Sequence, residues 1–108
     1  MNPYTIIHLL HIFIIGTFLL YIGIKQKSLS DMWYWIMIAV GATVIAYHSY
    51  KFFSVKQSWV SLFHMFFIAP LLVITGYLGN DAPRYLFEII LMSGFAAIGY
   101  HAYAIYAY

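Results

Sequence analysis

Residues 4–24 read YTIIHLLHIFIIGTFLLYIGI, a continuous apolar stretch that contains no Lys, Arg, Asp or Glu. About 20 apolar helical residues are needed to cross a hydrocarbon core roughly 30 Å thick, so this stretch predicts a transmembrane helix. Three further stretches have the same character, at residues 32–53, 58–79 and 84–107. The chain is therefore predicted to cross the lipid bilayer four times.

The composition agrees with a location in lipid. Of the 108 residues, 65% are hydrophobic and 7% are charged, and the mean hydropathy is +0.87. Soluble domains carry about 25% charged residues, so the composition excludes the soluble classes. The formal net charge of +2 comes from scattered cations that form no basic patch, and we therefore expect no nucleic-acid partner.

The connections between the four stretches are short and polar, at residues 25–31, 54–58 and 79–83. Helices joined so closely run antiparallel to their sequence neighbours, which predicts an all-α, up-down-up-down bundle in one transmembrane domain, residues 1–108. Both termini then lie on the same side of the membrane. The positive-inside rule does not decide which side, because Lys25, Lys27 and Arg84 on one face oppose Lys51 and Lys56 on the other.

Local signals mark where some of these helices begin and end. Ser30 or Asp31 is suited to cap the second helix, because their side chains accept hydrogen bonds from exposed backbone N–H groups. Gly79 is suited to end the third helix, and Pro83 is suited to an early position of the fourth. The sequence thus predicts these boundaries to within a few residues.

The two halves of the chain resemble each other when they are aligned at an offset of 53 residues without gaps. Residues 5–55 and 58–108 form 51 pairs, of which 12 are identical. The identical pairs include His11/His64, His48/His101, Tyr47/Tyr100, Tyr50/Tyr103, Gly23/Gly76 and Gly41/Gly94. Apolar composition alone does not favour so many polar and glycine matches in one register, so we interpret the chain as two tandem two-helix repeats. Copies with an even number of spans share one orientation, which predicts a pseudo-two-fold axis along the membrane normal.

Four of the five histidines are predicted to lie at one depth in the membrane. His11 and His64 lie about seven residues into the first and third helices. His48 and His101 lie about five to seven residues before the ends of the second and fourth helices, which run the other way. At 1.5 Å per residue, all four are expected roughly 8–10 Å inside the same membrane face.

Glycines indicate which way these histidines face. Gly41 precedes His48 by seven residues, nearly two helical turns, and Gly94 precedes His101 by the same distance. Small residues in membrane helices mark the close approach of another helix or a cofactor, so these histidines are expected to face inward. His8 lies one turn from the next histidine on the same face of its helix, but its counterpart in the repeat is a serine.

Tyrosines accompany the histidines in both second helices. Tyr47 and Tyr100 directly precede a histidine, and Tyr50 and Tyr103 follow it by two residues. These offsets place the tyrosines off the histidine face of their own helix. They are candidates for contacts that orient ligands carried by a neighbouring helix.

A set of inward histidines predicts a ligand site. Because the chain has no cysteine, its strongest metal ligands are the imidazole nitrogens of His11, His48, His64 and His101. Four such nitrogens fit a transition-metal ion, copper or zinc, at distances of about 2.0–2.1 Å. A diagonal pair, His11 with His64 or His48 with His101, would alternatively hold the iron of one haem b. A copper ion or a haem leaves an electron-transfer role open.

The sequence is also compatible with two other functions. Imidazoles near one membrane face are typical of a proton or cation pathway or a pH sensor, because histidine changes charge between about pH 5 and 8. The histidines could instead be structural, in a membrane or envelope protein without a ligand. Motifs of hydrolases, nucleotide enzymes and potassium channels are missing, and no lysine lies mid-span to bind retinal.

Association between copies of the chain is expected as well. Gly23, Gly76 and a large aromatic surface are available for packing between subunits. Membrane bundles with few polar groups associate through small residues and aromatic rings, so the sequence predicts a homo-oligomer.

Overall fold

The chain is almost entirely helical in its computed structural model, which describes residues 3–107. Met1, Asn2 and Tyr108, the last residue of the second predicted repeat, lie outside the described residues. Four helices are long and apolar enough to cross a membrane: α1 (Pro3–Ser28), α2 (Asp31–Ser54), α3 (Trp59–Asp81) and α4 (Arg84–Ala107). The four predicted stretches are thus confirmed as helices, and no strand occurs between residues 3 and 107.

Two of the four helices change their winding along their length. α1 is α-helical over Pro3–Leu10 and Gly16–Lys25, with a π-helical turn between these segments. α3 follows the same course, with the α-helical segments Trp59–Phe63 and Ala69–Leu78 on either side of a π turn. Both helices finish in a short 3-10 turn, at Gln26–Ser28 and Gly79–Asp81. By contrast, α2 and α4 are regular α-helices of 24 residues each.

The helix starts follow the predicted caps in part. Ser30 is the N-cap of α2, with extended backbone angles, and its carbonyl accepts a hydrogen bond from the Trp33 N–H at 3.0 Å. Its side chain makes no capping hydrogen bond. At the start of α3, Ser58 caps the helix with its side chain, because the Ser61 N–H donates to Ser58 Oγ at 3.3 Å.

Gly79 ends the α-helical part of α3, as the sequence predicts, and does so with a φ of +58° and a ψ of −126°. These angles match the first central position of a type II′ turn, which favours glycine. At the corresponding end of α1, Gln26 takes nearly the same conformation, with a φ of +50° and a ψ of −124°. A side chain is strained in this region, so the α1 end stores backbone strain that the α3 end avoids.

The described residues divide into two compact units, each built from two helices. Unit 1 consists of residues 3–26 and 87–107 and therefore contains α1 and most of α4. Unit 2 consists of Lys27–Leu86 and contains α2 and α3. Each unit thus combines one helix from each predicted repeat.

In unit 1, α1 and α4 run antiparallel and touch through glycines. A Cβ atom added to Gly23 would lie 2.7 Å from the Cα of Leu91, and one added to Gly94 would lie 3.1 Å from the backbone nitrogen of Leu20. The backbones therefore approach as closely as glycine allows. Around these contacts, Ile22 and Ile90 are fully buried.

In unit 2, α2 and α3 also run antiparallel and touch through glycines. A Cβ atom added to Gly76 would lie 2.7 Å from the carbonyl oxygen of Tyr34, and one added to Gly41 would lie 3.0 Å from that of Ala69. Gly76, like Gly23, is thus buried inside its unit, so the expectation that these two glycines pack between subunits is wrong. The Tyr34 hydroxyl donates to Asn80 Oδ1 at 3.1 Å, which ties α2 to the end of α3.

The contacts inside the two units correspond at the 53-residue offset. Gly23 meets Leu91 in unit 1, and Gly76 meets Ile38 in unit 2, so both partners are shifted by 53 positions. The contacts of Gly94 with Leu20 and of Gly41 with Val73 correspond in the same way. This agreement supports the tandem duplication, which stays a prediction.

The glycine contacts give a prediction for stability. Gly23→Ala in unit 1 and Gly76→Ala in unit 2 should each destabilise the protein by roughly 1–3 kcal/mol, because the added methyl group meets backbone atoms that cannot rotate away. Gly99→Ala is the matched control, since a Cβ there meets nothing within 4 Å and alanine favours the helix. Thermal unfolding in detergent micelles measures all three variants. Equal melting temperatures for Gly23→Ala and Gly99→Ala would contradict the packing described for unit 1.

Candidate metal centre

Unit 2 brings two of the predicted ligands together. The imidazole rings of His48 on α2 and His64 on α3 stack with their centroids 4.3 Å apart and their planes 18° apart. His48 is 6% exposed, and His64 is half-buried. Two helices running in opposite directions thus deliver their histidines to the same level within this unit.

Unit 1 contains the corresponding pair. The rings of His11 on α1 and His101 on α4 lie with their centroids 4.4 Å apart and their planes tilted by 32°. His101 is 5% exposed, and His11 is half-buried. Each unit therefore holds one fully buried histidine from a regular α-helix beside one histidine from a helix with a π turn.

The π turns begin at these histidines. His11–Ile15 and His64–Ile68 are the two π-helical segments, and each closes when a following N–H donates to the histidine carbonyl, from Gly16 and Ala69 respectively. In α3 the turn lies just before Pro70, which has no N–H to continue an α-helical ladder. π turns inside α-helices occur frequently at functional sites.

Backbone carbonyls fix the protonation of both π-turn histidines. His11 Nδ1 lies 2.8 Å from the carbonyl oxygen of Ile7, and His64 Nδ1 lies 2.7 Å from that of Val60. A carbonyl oxygen only accepts, so Nδ1 must carry the proton in each ring. In the neutral imidazole, Nε2 then carries the lone pair that a metal binds. A hydrogen bond of this kind is the usual support of a metal-ligating histidine.

The spacing of the rings decides what each pair can hold. Two imidazoles on opposite faces of one iron, with bonds of about 2.0 Å, have their centroids about 6 Å apart. The observed centroid distances of 4.3 and 4.4 Å are too short for that arrangement. Neither pair therefore has the spacing of the two axial ligands of a haem. Neighbouring ligands on one metal ion lie closer together, with centroids about 5 Å apart.

His8 adds a third imidazole to unit 1. Its Nδ1 lies 2.6 Å from Nδ1 of His101, and the two ring centroids are 4.9 Å apart. The Tyr4 ring also contacts His8, with the two ring planes 82° apart and the centroids 4.4 Å apart. At the corresponding place in unit 2, the buried Ser61 accepts a hydrogen bond from Ser58 Oγ at 3.3 Å.

The other predicted residues take three different positions. Gly41 and Gly94 are buried in the helix contacts of their units. Tyr47 and Tyr100 each lie edge-on to the next residue of their helix, a histidine, at centroid distances of 5.1 and 5.2 Å. Tyr50 and Tyr103 have 62% of their surface exposed, so they lie away from the buried histidines.

Sequence reasoning missed three features of these pairs. It gave no sign of the π turns, and it did not identify the carbonyls of Ile7 and Val60 as imidazole acceptors. It also placed His8 on the right face without predicting its contact with His101. The four-residue spacing of Ile7 from His11 was the available signal, since residues four apart are neighbours on a helix.

No protein-family model, curated protein or solved structure matches this chain. A function must therefore be inferred from the chemistry of its own residues.

The carbonyl contacts give a prediction that needs no metal. In the neutral state, His11 and His64 should be Nδ1–H tautomers, because each Nδ1 donates to a carbonyl oxygen. Nitrogen NMR of protein labelled at histidine distinguishes a protonated from an unprotonated ring nitrogen, and single His→Asn variants assign the signals. Nε2–H tautomers at both positions would show that these hydrogen bonds do not form.

Proposed function

We propose that this chain is a small multi-pass membrane protein that binds a transition-metal ion, copper or zinc, through His11, His48, His64 and His101. The proposal is carried by the hydrogen bonds that His11 and His64, the first residues of the two π turns, make to backbone carbonyls. Their Nδ1 atoms lie 2.8 and 2.7 Å from backbone carbonyls, which puts the lone pair of each ring on Nε2.

The pairing inside each unit supports a metal ion over other occupants. Neighbouring ligand nitrogens on a tetrahedral ion, with bonds of about 2.0–2.1 Å, are roughly 3.3 Å apart. The ring centroids of such neighbours are about 5 Å apart, which is nearer to the observed 4.3–4.4 Å than the spacing of axial haem ligands is. Imidazole suits copper and zinc, while magnesium and calcium require oxygen ligands.

We propose further that both histidine pairs bind the same ion. This step relies on the equal depth predicted for all four histidines by counting residues along the helices. One ion per chain, lost from any single-histidine variant, is the signature of such a site. Two ions per chain, each sensitive to only one pair, would instead assign a separate site to each unit.

A bound haem b would need a different pairing. Because the pairs inside the units are too close to be axial ligands, haem would require His11 with His64 or His48 with His101. Such a haem would give the purified protein a strong Soret band. The band would disappear in His11→Ala and His64→Ala for the first pairing, or in His48→Ala and His101→Ala for the second. A copper ion would permit one-electron transfer, whereas a zinc ion would not.

Metal loading tests the proposal directly. The protein is purified in mild detergent, incubated with Cu(II) or Zn(II), freed of excess ion and analysed for bound metal. Each variant among His11→Ala, His48→Ala, His64→Ala and His101→Ala should bind at least about tenfold more weakly, since loss of an outer partner alone costs 10–100-fold. The control is Tyr77→Phe, at an exposed residue about 20 Å along α3 from its histidine.

Two results obtained together would contradict the proposal. Metal-free, colourless protein at saturating ion, together with a folded variant that lacks all four histidines, would reject both the metal and the haem. If that variant also lost a proton flux that the unchanged protein shows in liposomes, the histidines would belong to a conducting path.

A further inference from the structure

The contact between His8 and His101 requires a specific arrangement of protons. The two Nδ1 atoms are 2.6 Å apart, and both residues are buried, at 6% and 5% exposure. Two lone pairs at this distance would repel, and two N–H groups would clash. One ring must therefore donate from Nδ1 and the other accept at Nδ1.

The direction of this hydrogen bond decides whether His101 can bind a metal. If His101 donates from Nδ1, its Nε2 carries a lone pair and is a ligand. If His101 accepts at Nδ1, its Nε2 carries a proton and cannot ligate. Both arrangements are neutral, so the choice is between tautomers and involves no change in charge.

The other ligands in the same structure show which direction suits a metal site. His11 and His64 donate from Nδ1 to carbonyl oxygens. At His101 the corresponding partner is the Nδ1 of His8. The Nδ1 of His8 therefore lies against His101 as a backbone carbonyl oxygen lies against His11 and against His64.

We propose that His8 is a positioning residue that accepts the hydrogen bond from His101 and so holds His101 in the Nδ1–H form. The role rests on the proposed metal site. Tyr4 packs against the His8 imidazole with the two ring planes 82° apart, at a centroid distance of 4.4 Å.

This role makes the two units chemically different. In unit 2 the residue that corresponds to His8 is Ser61, whose hydroxyl and N–H are both bonded to Ser58 at the start of α3. His48 therefore receives no imidazole acceptor from that position.

The first test observes the hydrogen bond without a metal. Nitrogen NMR of the metal-free, histidine-labelled protein should show a coupling between the two Nδ1 atoms and His101 as the Nδ1–H tautomer. In His8→Leu, which has no acceptor, the Nε2–H tautomer of His101 should grow. In His8→Asn, whose amide oxygen can accept, the Nδ1–H form should persist. An unchanged tautomer of His101 in His8→Leu would overturn the role of His8.

The second test measures metal affinity. His8→Leu should bind Cu(II) 10–100-fold more weakly, the usual cost of removing the partner of a metal ligand, and His8→Asn should restore most of the affinity. Ser61→Ala is the matched control in unit 2 and should bind like the unchanged protein. Equal affinity in His8→Leu and the unchanged protein would overturn the proposal.

The two tests separate the possible failures. If the unchanged protein binds no metal but its His101 tautomer depends on His8, the metal site fails while the positioning contact holds. If the protein binds metal and neither tautomer nor affinity depends on His8, only the positioning role fails.

Discussion

The hydrogen bond from imidazole Nδ1 to a backbone carbonyl one turn earlier is the interaction on which the candidate site depends. In an apolar surrounding every polar group must find its partner inside the protein, because no water is available to replace it. His11 and His64 meet this requirement through Ile7 and Val60. The same bond chooses the tautomer of each ring, so the constraint that stabilises the histidine in the helix also prepares Nε2 as a ligand.

The lack of negative charge on the proposed ligands affects which metal ion the site would favour. Neutral imidazoles add no negative charge, so an ion bound by them would keep its full charge, which is costly wherever water is excluded. Within unit 2, Asp31 precedes His48 by about 25 Å of helix, and within unit 1, Glu88 precedes His101 by about 20 Å. No carboxylate of the described residues therefore lies near either pair along its own helix. A singly charged copper ion would carry a lower desolvation cost than zinc in such a site.

Much of the fold was predictable because it follows from one-dimensional patterns. Long apolar runs predict the four helices, and Gly79 ends the α-helical part of α3 as expected for a residue that tolerates positive φ. The π turns at His11 and His64 were not predictable, since a change in winding leaves no mark on hydropathy. The contact of His8 with His101 joins residues 93 positions apart, and its partner could not be chosen from spacing alone. The equal depth of all four proposed ligands stays a prediction from helix geometry.

The most direct measurement of metal ligation is X-ray absorption at the metal edge of the loaded protein. Histidine ligation predicts nitrogen scatterers at about 2.0 Å, together with the outer-shell scattering of imidazole rings. Four imidazoles per ion would show that both pairs bind together, and two would show that each unit binds alone. An oxygen shell without imidazole scattering would contradict ligation by these histidines.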